Sequence, residues 1–309
     1  MRVEGKGGIW AEVVADSINA WGDRVTSFRL HYHRFIHAEF LRHRMFSNSV
    51  SSSRAIPVPK MLDQIKENPA TPIYWGRNQA GMSAKEEIED TFDANMEWQE
   101  AIHWGTECAT NLHSMEVHKQ ITNRLVEPFQ FINQVVTATD FDNFYYLRIH
   151  ADAQPEIQEL ANVMYEAQQQ SIPDQRRNSW HLPFVTEEMR IDYGIANAKK
   201  ISASMCAQAS YRVSDDSLEK AEMIYDKLVT SRPLHASPFE HVCLPFSEEE
   251  MMARRLTQGL YRQQLERIYD DKGLVEMQVR QLMYNGNFRG WTQMRKHIND
   301  ENYTKTFIK

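Results

Sequence analysis

Apolar and polar residues alternate through RVTSFRL, residues 24–30, where Val25, Ser27 and Arg29 interleave with Thr26, Phe28 and Leu30. A period of two predicts a strand with two unlike faces, inside a β-rich stretch over 9–35. FIHAEFLRHRMF, which follows, predicts a short helix or a turn into one. NSVSSSRAIPVPK is rich in serine and ends in two prolines, so it reads as a loop. PATPIYWGRNQAGM is irregular and suits a lid or a packed surface loop. Residues 84–126 lack proline and predict two helices, broken near Gly105 or between Ser114 and His118. FQFINQVVTA is strand-like. A helix pair follows through FDNFYYLRIH and PEIQELANVMYEAQQQ, with Pro155 in a first turn. Residues 171–194 read as a connector. Asp216 and Glu219 form a capping box before a helix with Leu218, Ala221, Ile224, Tyr225 and Leu228 on one face.

Composition narrows the class. The 309 residues are 42% hydrophobic and 25% charged, enough to bury a full core. The formal charge of −7 argues against a general nucleic-acid binder, which shows a basic excess or face. Cys108, Cys206 and Cys243 are odd in number and widely spaced, which suits reduced thiols better than a disulfide framework or a zinc knuckle. No apolar run approaches the ~20 residues that span a bilayer, and the first residues lack a signal-peptide core. A soluble cytoplasmic protein is expected.

The densest chemical signal is RHRMFSNSVSSSR, from Arg42 to Arg54. Guanidinium groups match phosphate with paired, charge-assisted hydrogen bonds, and serine hydroxyls and loop amides supply further donors. A solvated basic turn explains the same composition equally well. His31, His33, His37 and His43 raise a metal site, but no HExxH occurs, Glu39 sits at the wrong spacing for one, and no metal is expected. Trp75, Trp104, Trp180 and Trp291 could stack on a ligand ring, though a lone tryptophan is more often core or a surface anchor.

The chain resembles the flavin-dependent thymidylate synthases. Arg42, His43 and Arg44, followed after seven residues by Ser52, match the RHR-x7-S signature of that family, and Arg54 matches the arginine two positions on. NRLVEP at 123–128, NFYYLRIHADAQPEI at 143–157 and HASPFEH at 235–241 resemble further family blocks, and NFRGW at 287–291 resembles its Asn-x-Arg flavin contact. The order differs: the HxSPxEH block follows RHR instead of preceding it, as in a permuted or internally duplicated chain. Ser49-Val50 replaces an Asn-Glu pair, Glu39 replaces a glutamine, and Thr137-Ala138-Thr139 stands where Asn-x-Arg is usual.

The resemblance implies an α+β fold of helices packed on a mostly antiparallel sheet. It divides the chain into 1–170 with the RHR motif, a connector over 171–194, and 195–309 with the HxSPFEH motif. It implies reductive methylation of dUMP to dTMP by a homo-oligomer (dimer or tetramer), with FAD as cofactor and NADPH and methylenetetrahydrofolate as co-substrates. The alternatives are a related flavin- and folate-dependent hydroxymethylase and a non-catalytic nucleotide binder. By the resemblance, Arg148 is catalytic; Glu39, Arg42, Ser52, Ser53, Arg54 and Arg124 bind substrate; Arg42, His43, Arg44, Asn143, His235, Ser237, Asn287 and Arg289 hold FAD. If Arg148 had no ligand, Asp152 or Glu156 would be its carboxylate partner. The guanidinium-rich loop should pack against the PFEH segment.

Overall fold

The computed structural model describes residues 1–210, 214–231, 233–299 and 301, so the region expected over 195–309 runs past them. Strands β1 (Arg2–Glu4), β2 (Trp10–Ile18) and β3 (Arg24–His33) lead into the one-turn helix α1 (His37–Phe40) and strand β4 (Ser47–Val50). Helices α2 (Val58–Glu67), α3 (Thr91–Ser114) and α4 (Lys119–Thr122) precede β5 (Phe131–Ala138), α5 (Asp142–Arg148) and α6 (Pro155–Gln170). Then come β6 (Asp174–Gln175), α7 (Glu187–Ala207), α8 (Leu218–Thr230), β7 (Cys243–Pro245), α9 (Glu248–Leu265), α10 (Lys272–Arg280), β8 (Tyr284–Asn285), β9 (Phe288–Arg289) and β10 (Trp291–Gln293). Among the described residues, no helix is long and apolar enough to cross a membrane.

The main sheet runs β1-β2-β3-β5-β4, antiparallel throughout, with the short β6 added parallel to β2. The α+β class read from the sequence is the one observed. One face carries Phe28, Leu30, Tyr32, Ile132 and Val136, which pack under α5 and α6 through Phe144, Ile157, Leu160 and Met164. Pro155 starts α6 at a position where a missing N–H costs nothing. A second, smaller core lies at one end, where α2 and α3 meet Val126 and Phe129.

The opposite face is polar in its centre. A bulge between Val13 and Ala15 turns Ser17 toward this face, beside Ser27 on β3, Thr137 on β5 and Ser49 on β4. Buried hydroxyls need partners, and two histidines of the C-terminal half supply them. His181 sits 2.8 Å from both Ser17 Oγ and Ser27 Oγ. His241 bridges Thr137 Oγ1 and Ser49 Oγ at 2.9 Å each. Ser27 and Thr137 close the chain at 2.6 Å. Around it, Val25, Cys243, Phe288 and Trp291 form an apolar seal.

Several local expectations need correction. Ser47–Val50, read as loop, pairs with β5 as an edge strand. Of the two breaks offered for residues 84–126, the one near Gly105 does not occur, and the one between Ser114 and His118 does, separating α3 from α4. A Cβ at Gly105 would stand 3.0 Å from the Phe129 ring, so glycine here permits close packing. The cap of α8 is Ser217, which accepts from Lys220 N–H, and not Asp216. The connector holds β6, and α7 begins within it at Glu187.

Burial pushes the pKa of His181 and His241 down from 6.5 to about 3. A folded value below the unfolded one gives stability that is complete above pH 6.5 and lost as pH falls toward 3. We therefore expect the urea midpoint to drop steadily from pH 6.5 downward, each imidazole contributing about 1.4 kcal/mol per pH unit. His241→Leu should lower the unfolding free energy by on the order of 2 kcal/mol at pH 7, because it strands the buried Ser49 hydroxyl and leaves Thr137 with Ser27 alone; denaturant titration measures both effects.

Candidate functional site

Helix α1 and the turn after it are set by local bonds: Arg42 N–H donates to Glu39 O, His43 N–H to Phe40 O and Phe46 N–H to His43 O. Phe40 and Phe46 are buried anchors on either side. The turn thereby points Glu39 and His43 toward α5, where Phe144 and Arg148 lie four residues apart on one face. The Phe144 ring meets His43 edge-on at 4.8 Å. Arg148 Nε donates to His43 Nε2 at 3.0 Å, and Nη1 pairs with Glu39 Oε2 at 3.3 Å. The partners of Arg148 are thus Glu39 and His43, not Asp152 or Glu156. Its Nη2 has no partner among the described residues, so one edge of a fixed guanidinium faces outward.

His43 must be neutral to accept from Arg148, with its proton on Nδ1. Burial, then the charges of Arg148 and Arg42, pull its pKa down to about 4. Beneath, Tyr32 donates to Gln134 Oε1, Gln134 donates to Asn48 Oδ1, and Tyr32 OH also lies 2.8 Å from His37 Nδ1.

A second cluster gathers around Glu127. Its carboxylate takes Arg34 at 2.9 Å, Arg124 at 3.0 Å and the Ser53 hydroxyl at 3.0 Å. Buried Asn123 holds the loop by donating to Ser53 O and Ile56 O. Arg34, Asn123 and Glu127 were missed by sequence reasoning, although Asn123 and Glu127 lie inside the quoted NRLVEP block. His37 on α1 faces this cluster, while Glu39 on the same turn faces Arg148.

The remaining sequence-predicted residues are placed as follows. Arg42, Arg44 and Arg54 are exposed and have no carboxylate partner among the described residues. Ser52 is half-buried between them. Asn143 is exposed at the start of α5. Asn287 donates to Met45 O and Ser47 Oγ, both at 3.0 Å, tying the β8–β9 hairpin to the RHR turn. Arg289 is held by Asp23 at 3.2 Å and Asp140 at 3.9 Å. His235 and Ser237 are exposed, but the rest of their segment is not: Pro238, Phe239 and His241 are buried, and His241 meets Ser49. The RHR loop and the PFEH segment are therefore neighbours through β4. His33 ends β3 and His37 begins α1, and among the described residues no three metal-ligating side chains converge.

The comparisons bear on the same region. The family model described as Thymidylate synthase complementing protein matches residues 24–174. No curated protein matches the chain. Among solved structures, the crystal structure of a UMP/dUMP methylase PolB from Streptomyces cacaoi bound with 5-Br dUMP aligns at 15% identity and a TM-score of 0.44, over 54% of this chain and 92% of that one.

Replacing Arg148 with Met should raise the His43 pKa part of the way from about 4 toward 6.5, since burial remains the larger cause. Imidazole NMR titration reads this directly. Below pH 4 in the unaltered protein, protonated His43 should repel Arg148 and the Nε bond should break.

Proposed function

We propose, from the premise that residues 24–174 belong to the Thymidylate synthase complementing protein family, that this protein is a flavin-dependent thymidylate synthase that methylates dUMP at C5. The observation that carries the reading is the Arg148 guanidinium, fixed by Glu39 and His43 with one edge left for a ligand. A preorganised cation beside a uracil stabilises negative charge at O2 and N3, and that charge makes C5 nucleophilic. Such electrostatic preorganisation is worth several kcal/mol where water is excluded. Neutral His43 holds the guanidinium plane without competing for its charge.

Ser52, Ser53 and Arg54 would bind phosphate and sugar, with Arg42, Glu39 and Arg124 alongside. Arg124 and Ser53 now face Glu127, so a phosphate entering there exchanges one anion for another at the same donors. Arg42 and Arg44, exposed and without a carboxylate partner among the described residues, fit the pyrophosphate of FAD, with His43 from the same turn and Asn143 from the start of α5 as further contacts. Asn287 and Arg289 would support that side through the RHR turn, and His235 and Ser237 through the PFEH segment. FAD, once reduced by NADPH, would supply the reducing power for the transfer, with methylenetetrahydrofolate as the one-carbon donor.

One observation favours a second product. Val50 ends β4 as an exposed apolar residue where the family pattern carries a carboxylate, and this departure keeps transfer of a hydroxymethyl group as the alternative. Mass spectrometry of dUMP incubated with the protein, FAD, NADPH and methylenetetrahydrofolate separates the outcomes. Conversion to dTMP supports the first reading, hydroxymethyl-dUMP the second, and recovery of unchanged dUMP from a flavin-loaded protein defeats both. Arg148→Ala should lower turnover by about 10²- to 10³-fold while the protein keeps its yellow colour; normal turnover in that variant removes Arg148 from the catalytic role.

A further inference from the structure

Helix α9 packs onto the rest of the chain along one side. Met251 and Leu265 are buried there, Arg254 donates to Leu282 O at 2.7 Å, and Gln258 donates to Val279 O at 3.0 Å. Arg255, at the flank, lies over the Trp21 ring at 4.7 Å. The side turned away should be polar in a helix that covers a core. It carries Met252, Leu256 and Leu260 instead, each more than half exposed. Spaced four residues apart, the three share one face, and none of them joins a hydrophobic cluster of the described residues.

This face reads alike in both directions from Leu256. Three residues away on either side stand the small residues Ala253 and Gly259, four away the apolar Met252 and Leu260, and seven away the polar Glu249 and Gln263. Glycine weakens a helix interior. A Cβ at Gly259 would meet nothing within 4 Å, so nothing within the described chain calls for glycine there. The two ends of the helix differ in charge: Glu248, Glu249 and Glu250 fill the first turn, and Arg262 lies in the last.

We propose that the outward face of α9 is a self-association surface, covered by the same face of a second copy of this chain packed antiparallel about a two-fold axis at Leu256. A two-fold contact is isologous, so each residue meets the one equally far on the other side of the axis. Met252 then packs on Leu260 of the second copy, Leu256 on its own counterpart, and the Gln263 carboxamide donates to the Glu249 carboxylate. Ala253 and Gly259 leave the backbones room to approach. Parallel pairing would set the three glutamates of each copy against one another. Antiparallel pairing brings each acidic first turn to the end that carries Arg262 and opposes the two helix dipoles. A partner of unrelated sequence gives no reason for a face symmetric about its own centre. The stripe spans about 12 Å of helix, so the contact is small and the association weak. Helix α9 lies outside residues 24–174, so this surface is separate from any assembly that the family resemblance implies. It depends neither on Arg148 nor on the proposed methyl transfer.

Sedimentation velocity on the full chain over a concentration series tests the surface. Leu256→Glu and Leu256→Arg each set a charge against its own copy on the axis. Each variant should show half the mass of the unaltered protein at the highest concentration, with an unchanged far-UV circular dichroism spectrum. An equal mixture of the two should restore the larger species, because glutamate then meets arginine; that recovery is specific to an axis at Leu256. Gly259→Gln, which favours the helix but fills the space beside the axis, should weaken association by roughly 10-fold, and it serves as the second variant if a charge at 256 disturbs α9. The assignment is overturned if the unaltered protein is no heavier than Leu256→Glu at any concentration, or if the mixture stays as small as its components. Full association in Gly259→Gln overturns it as well. The readout is mass alone, so a protein that fails to methylate dUMP still reports on this surface.

Discussion

Five hydrogen bonds among six buried side chains join the two halves of this molecule: Ser17, His181, Ser27, Thr137, His241 and Ser49 form one continuous chain across the sheet. A sheet face with hydroxyls at its centre cannot be covered by an apolar layer without stranding them. A neutral imidazole offers one donor and one acceptor on opposite sides of a flat ring, which is the geometry required to bridge neighbouring strands. Each histidine spans two hydroxyls, and Ser27 and Thr137 join the pairs. The rest of the C-terminal half is arranged around these two pegs. His181 is also paired through its backbone with Cys243, which continues into β7, and β7 pairs with β10.

Because His241 grips Ser49, the strand that precedes the serine-rich loop is braced from behind. The same strand is held from a second direction by Gln293 and Asn287, which both donate to Ser47 Oγ. The loop that carries Ser52, Ser53 and Arg54 thus starts from a fixed base. Arg148 is held from the other side of the sheet by Glu39 and by His43, whose ring packs against Phe46 and Phe144. On a chain with seven more acidic than basic residues, these placements decide which cations are already satisfied. Arg34 and Arg124 converge on Glu127, and Arg280 and Arg289 on Asp140. The guanidiniums of Arg42, Arg44 and Arg54 stay exposed and without a carboxylate partner among the described residues, which leaves them available for the anion site proposed above.

The parts of this architecture legible in the sequence are those governed by local periodicity. The alternation of Val25, Ser27 and Arg29 with Thr26, Phe28 and Leu30 announced β3, and the proline at 155 announced α6. Ser47–Val50 was not legible as a strand, because a serine–asparagine run has no apolar period; it is a strand only because β5 lends it a ladder and His241 takes its hydroxyl. Asp216 and Ser217 are equally able caps by residue type, and only the backbone direction chose the second. The Arg148–Glu39 pair spans more than one hundred residues, so no local signal could have identified it over nearby Asp152 or Glu156. The Asn285-Gly286 step at the β8–β9 hairpin was a readable turn signal, with Gly286 at φ 66°. It was passed over because the two-residue strands around it carry too few positions for a pattern.

The placement of the two pegs also bears on how the polypeptide is made. Synthesis runs from the N-terminus, and the sheet's six strands are all available once Gln175 has emerged. Its hydroxyl-bearing face must nevertheless wait for His181, then for His241, and finally for Trp291 before it is sealed. Over that interval the nascent sheet keeps a wet, half-finished surface, and the polar centre that makes it incomplete also makes it a poor template for sticking to other chains.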